Sequence, residues 1–130
     1  MKTLILEDDP VTTKIIANFL IQYGMVITAG SAKEAFEIYN DSAFSSTPFD
    51  LICLDLQLPE FDGVEFLNEI RKAELKSGIP MPLGVKVVIL TAHNDPSTYF
   101  DAQSKGCDAF LTKPLNKEKL KSELARLELI

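Results

Sequence analysis

Histidine is nearly absent from this chain: His93 is the only one in 130 residues. A single imidazole excludes a histidine metal cluster and any pairing of two imidazoles. Cysteine is almost as scarce. Cys53, inside LICL, and Cys107, inside GCDAF, have neither zinc spacing nor the density of a disulfide framework. They read as reduced, packed thiols and predict a cytoplasmic protein. Positive charge is also short, with 13 Lys and Arg against 19 Asp and Glu, a net charge of -6 and a pI near 4.7. That balance argues against a broad basic surface for nucleic acid or anionic membrane. No long apolar run is present at the N-terminus, where MKTLILEDD turns acidic almost at once, so neither a signal peptide nor membrane insertion is expected. A glycine-rich phosphate loop is missing too. EDDP offers negative charge where a nucleotide would need backbone donors.

What is there suffices for one core. Hydrophobic residues make up 46% of the chain, and no repeat, linker or low-complexity tract divides it, which predicts one domain over residues 1–130 with no output domain. Apolar runs of strand length occur at 2–6, 25–29, 50–54, 85–90 and 107–111. Between and after them, helical spacing occupies 10–24, 31–40, about 64–76, 96–106 and 116–130. Pro10 suits a first helical turn, Gly24 a stop, and Ser31 with Glu34 a capping box. The segment KSGIPMPLG at 76–84 cannot continue a helix and reads as a long connection. Strands apolar on both faces and alternating with helices imply a parallel sheet covered on two sides, a flavodoxin-like α/β three-layer sandwich.

Polar residues recur where these strands end. Asp8 and Asp9 follow the first strand, Asp55 the third, Thr91 the fourth, and Lys113 lies just past the fifth. In an open parallel sheet those positions share the carboxyl edge, where ligands bind near a reversal of strand order. Any one of the acids is explained as a solvated loop or helix-start residue. Their recurrence at four of five strand ends, above strand bodies that are nearly all apolar, is not. Hard oxygen donors of this kind suit Mg²⁺, which bridges carboxylates to a phosphoryl group.

Taken in order, ILEDDP, LICLDLQLPEFDG, the LTA after the fourth strand and GCDAFLTKPL make the chain resemble the receiver domain of two-component response regulators, the CheY-like family, over essentially its whole length. The resemblance implies a (βα)5 sandwich with sheet order 2-1-3-4-5. It implies Asp55 as phosphoacceptor, Asp8 and Asp9 as the acid pair that holds Mg²⁺ (with Mn²⁺ able to substitute), and a further ligand from the main-chain carbonyl of Gln57. It also implies Lys113 as the contact to the phosphoryl group, a cis bond between Lys113 and Pro114, and Thr91 and Phe110 as the switch pair. Gln57 and His93, each two positions past a site residue, would tune the lifetime of the acyl phosphate. The partners implied are a sensor histidine kinase or phosphotransfer protein upstream and a protein target downstream, met through the fourth helix, fifth strand and fifth helix. The only turnover implied is self-phosphorylation from phosphodonors and autodephosphorylation.

Plainer readings stand beside these. His93 fits an exposed loop, Phe110 a fixed core aromatic, and Glu60 and Asp62 of PEFDG solvent-facing or helix-start acids. The helix after HNDPS is polar, short of strong helix formers, and expected to be weakly restrained. Two other functions use the same residues. An Mg²⁺-dependent aspartyl phosphohydrolase shares the strand-end aspartate, although Gln57 stands where such enzymes carry a second acid, and a receiver-like scaffold would never be phosphorylated. The expected role of the chain is either a single-domain regulator or a receiver cut from a longer protein.

Overall fold

The computed structural model describes residues 1–43, 47–58, 62–79, 84–92 and 96–130. Its strands are β1 (Lys2–Leu6), β2 (Met25–Ala29), β3 (Leu51–Leu54), β4 (Lys86–Thr91) and β5 (Ala109–Thr112). Its helices are α1 (Pro10–Leu20), α2 (Ala32–Ala43), α3 (Gly63–Lys76), α4 (Pro96–Ser104) and α5 (Lys117–Arg126). All strand pairs are parallel, in the order β2-β1-β3-β4-β5. This is the flavodoxin-like α/β sandwich that the alternation predicts. Among the described residues no helix is long and apolar enough to cross a membrane.

The period of two along each strand sorts side chains between two cores. Leu4, Leu6, Ile52, Leu54, Val87 and Ile89 point to one core, with Phe66, Leu67 and Ile70 of α3 and Ala102 of α4. Ile5, Leu51, Cys53, Val88 and Leu90 point to the other, under Ile16 and Leu20 of α1 and Leu120 and Leu124 of α5. Both cysteines are free thiols, and burial pushes Cys53 up to about 12 and Cys107 up to about 11, so neither is a reactive thiolate.

Boundaries differ from the sequence reading for local reasons. The α-helical part of α1 stops at Leu20, and a 3₁₀ turn, Ile21–Tyr23, carries the chain to Gly24. Gly24 has φ +142°, and a Cβ there would overlap the Met1 carbonyl, so only glycine closes this turn. Ser31 Oγ does accept from Glu34 N at 3.2 Å, but Glu34 reaches back to Gly30 N (3.3 Å), one residue before the expected donor. Val85 is left out of β4 because its N–H donates to the Glu74 carboxylate at 2.6 Å. β5 begins at Ala109, two residues late, because Cys107 N still belongs to the end of α4 through Ala102 O (3.2 Å). α5 ends at Arg126, and Glu128 adopts φ 61° just beyond it. Residues 80–83 of the proline-rich connection lie outside the described residues. As its composition predicts, α4 is weakly embedded: Ala102 is its one buried residue.

Candidate functional site

Chain direction fixes what the three acids after β1 can do. Glu7 N donates to Ala29 O at 3.1 Å, which extends the β1–β2 ladder by a residue and leaves the Glu7 side chain buried. Asp8 is exposed at the sheet edge. Asp9 is the N-cap of α1: its carboxylate accepts from Val11 N and Thr12 N, both at 3.3 Å, and from the Thr12 hydroxyl at 2.6 Å. Pro10 occupies the first helical position, where a missing N–H costs nothing.

Asp55 is the first residue past β3 and is 5% exposed. Its Oδ1 accepts from Gln57 N at 3.0 Å, and its own N–H donates to Leu6 O at 3.0 Å. Gly63, at the start of α3, lies against this turn so closely that a Cβ would stand 2.6 Å from the Asp55 carbonyl oxygen. Asp62 caps α3 by accepting from Val64 N at 2.9 Å, the helix-start role read from PEFDG; Glu60 of that motif is outside the described residues. Lys113 then reaches in from β5. Its Nζ donates to Glu7 Oε1 (2.9 Å), Glu7 Oε2 (3.2 Å) and Asp55 Oδ2 (3.2 Å). Its backbone N–H holds Thr91 O at 2.8 Å, and the Lys113–Pro114 bond is cis.

One carboxylate oxygen from each of Glu7, Asp8 and Asp55 lies within 4.8 Å of the other two. The structure does not bring Asp9 into this cluster. The acid pair beside Asp55 is Glu7 and Asp8, because Asp9 is committed to the helix start. Three carboxylates against one ammonium leave an excess of negative charge on hard oxygen donors, the donor set that Mg²⁺ takes. Thr91, the last residue of β4, is fully buried, and Phe110 of β5 is half-buried with its ring 5.4 Å from that of Tyr99. His93 lies outside the described residues.

The cluster shows in its proton affinities. Burial pushes the Glu7 carboxyl up to about 7, the Asp55 carboxylate adds to the rise, and Lys113 opposes it. Burial alone would lower Lys113, and its contacts with Glu7 and Asp55 outweigh that, leaving it raised. Asp9 is lowered, chiefly by the Thr12 hydroxyl.

Two expectations follow from this arrangement. Between 4.5 and about 7 the folded metal-free domain keeps a proton on Glu7 that the unfolded chain has lost. Glu7's contribution to stability is therefore complete below pH 4.5 and lost as pH rises through about 7. Urea titrations at about pH 5 and about pH 8 should show that decline, and added Mg²⁺ should reverse it at the higher pH. The second expectation separates Asp9 from Glu7. Asp9→Ala should lower the urea midpoint through the lost cap and leave Mg²⁺ affinity nearly unchanged. Glu7→Gln should weaken Mg²⁺ binding, as calorimetric titration would measure.

The family model described as "Response regulator receiver domain" matches residues 3–125. The chain belongs to that family. Among curated proteins, this receiver domain is 32% identical over 120 residues to "Hybrid signal transduction histidine kinase I" of Dictyostelium discoideum, a match that covers 92% of the chain and 7% of the kinase. It is 33% identical over 125 residues to "Probable transcriptional regulator ycf29" of Porphyra purpurea, covering 95% of the chain and 54% of that protein. The receiver domain thus spans only part of the curated relatives it matches. Among solved structures, a mutant receiver domain of the histidine kinase CKI1 from Arabidopsis thaliana superposes with a TM-score of 0.82 at 28% identity, covering 98% of this chain and 89% of that one. Sheet order, matched family and clustered acids agree: Glu7, Asp8 and Asp55 form an acidic cluster of the kind that receiver domains use for phosphoacceptance.

Glu7 is the residue that motif reading missed. The signal was present: in EDDP the acid before the proline stands at the helix cap, which leaves the two acids before it for the sheet edge.

Proposed function

We propose that Asp55 accepts a phosphoryl group from the phosphohistidine of a sensor histidine kinase or phosphotransfer protein, or from a small phosphodonor. The observation that carries this reading is the Lys113 ammonium held at 3.2 Å from the Asp55 carboxylate, beside two further acids. An Asp55 oxygen attacks phosphorus, the new O–P bond forms as the donor's P–N or P–O bond breaks, and the leaving group departs with the bonding pair. Lys113 holds a phosphoryl oxygen as charge shifts onto it. Glu7, Asp8, Asp55 and the main-chain carbonyl of Gln57 would hold Mg²⁺, which supplies neutralisation of the phosphoryl oxygens when bound. Attack by water at the same phosphorus restores the carboxylate, with Gln57 and His93 setting the rate.

The acyl phosphate adds roughly two negative charges and three strong acceptor oxygens at the sheet edge. Thr91 turns its hydroxyl toward one of them, Phe110 follows, and the α4–β5–α5 face changes shape for a protein partner. The test is intact mass after incubation with acetyl phosphate, with and without Mg²⁺. One Mg²⁺-dependent adduct is expected. Sustained release of phosphate from phosphoesters would favour the phosphohydrolase instead, and neither adduct nor release from a folded domain would leave a scaffold.

A further inference from the structure

The face assigned above to output carries a chain of three rings. Phe110 of β5 meets Tyr99 of α4 edge-on at 5.4 Å, and Tyr99 meets Phe100 edge-on at 5.6 Å. Exposure rises along this chain, from half-buried Phe110 to Tyr99 at 37% and Phe100 at 65%. Gln103 fixes the middle ring by donating to Tyr99 Oη at 2.8 Å. A phenylalanine so exposed is unusual for a packing residue, and Tyr99 links it to the half-buried ring on β5.

Across β5 the surface is basic. Arg126 donates to Asp108 O at 2.7 Å, so that side of α5 faces the head of β5, and its charge is already paired with Glu123 of the same helix. Lys119, seven residues earlier, lies on the same stripe; it is exposed, and its side chain makes no ion pair among the described residues. α5 holds Lys117, Lys119, Lys121 and Arg126 against Glu118 and Glu123, in a chain whose net charge is -6. Basic charge is thus gathered on one element of an acidic domain. The exposed acid of α4, Asp101, lines a cavity of about 220 Å³ with Gln57 and Asp62, away from the β5 side.

We infer that the partner of this face is an acidic protein segment with a large apolar side chain, which seats against Phe100 and Tyr99 while a carboxylate meets Lys119. The inference rests on the receiver reading and names the chemistry of its output partner. A second copy of the chain fits worse, since two domains of net charge -6 repel. Motion of Phe110 reaches Tyr99 directly and Phe100 through Tyr99.

The test is selection of displayed random peptides on the domain activated with beryllofluoride and Mg²⁺. Enriched peptides should be acidic and carry a leucine, isoleucine or aromatic residue. By fluorescence anisotropy their affinity should fall about tenfold in Phe100→Ala, fall severalfold in Lys119→Glu, and weaken with added salt. Enrichment of neutral or basic peptides, no enrichment, or unchanged affinity in both variants would overturn the inference. So would an activation-dependent dimer that Phe100→Ala abolishes, since it would assign the surface to a second copy. The acetyl phosphate adduct, measured on the same preparations, should be unaffected by either substitution. An adduct without peptide discrimination defeats this inference alone. Peptide binding without any adduct in the unsubstituted domain defeats the receiver reading.

Discussion

Asp55→Asn is expected to abolish the Mg²⁺-dependent phosphoryl adduct while leaving the fold intact. The substitution preserves shape, and the amide oxygen can still accept from Gln57 N, a contact of 3.0 Å in the unsubstituted protein. What disappears is the charged oxygen that faces Lys113 and would attack phosphorus; a neutral amide is a poor nucleophile and yields no acyl phosphate. The loss should be complete by intact mass, because no partial function survives removal of the atom that forms the bond. Stability should move the opposite way. Glu7, Asp8 and Asp55 crowd their oxygens within 4.8 Å, so removing one charge relieves repulsion that Lys113 only partly offsets. The metal-free variant should therefore melt higher than the parent, and Mg²⁺ should raise its midpoint less. An adduct that persists in the variant would place the acceptor elsewhere, and a drop in melting temperature would mean that the Asp55–Lys113 contact outweighs the repulsion.

The contrast between Asp55 and Asp9 marks what sequence pattern can resolve. Strand alternation is a property of the backbone, so runs such as LICL and VKVVIL identified buried parallel strands, and the polar residue after each was placed at the carboxyl edge. Which of three adjacent acids faces the cluster depends on where the chain turns. Glu7 still donates its N–H to Ala29 O on β2, and Asp9 already caps α1. Periodicity cannot see that turn, although the proline at the first helical position can. β5 was misplaced by two residues for a similar reason, since Cys107 is apolar enough for a strand while its N–H remains with α4. Side chains that tie elements together away from the carboxyl edge were illegible. Arg71 and Glu74, three apart on a helix that otherwise alternates polar and apolar faces, suggest a surface ion pair, and both are buried.

Arg71→Met is expected to destabilise the domain by about 3 to 5 kcal/mol. The guanidinium is 7% exposed as a residue, and its three nitrogens make five contacts. Nε and one terminal nitrogen share Gly106 O at 3.0 and 2.9 Å; that nitrogen also meets Asp108 Oδ2 at 2.9 Å, and the other meets Glu74 Oε1 and Val85 O, both at 2.7 Å. The two carboxylates are bound in turn by backbone, Glu74 by Val85 N at 2.6 Å and Asp108 by Val87 N at 2.8 Å. The cluster therefore ties the C-terminal half of α3 to the head of β4 and to the turn between α4 and β5. A Cβ on Gly84 would overlap the Glu74 carboxylate, so even the approach to β4 is shaped around it. Methionine fills much of the volume but strands two anions and two carbonyls, a heavier penalty than the pair's own net worth. Arg71→Lys should recover little, since one ammonium cannot span five contacts. Neutralising the stranded acids as well, with Glu74→Gln and Asp108→Asn beside Arg71→Met, should recover a substantial part of the loss in urea titrations. If the triple variant is no more stable than Arg71→Met alone, lost packing rather than uncompensated charge accounts for the cost. These contacts lie toward the amino edge of the sheet, away from Asp55, so the folded fraction of Arg71→Met should still take up the phosphoryl group.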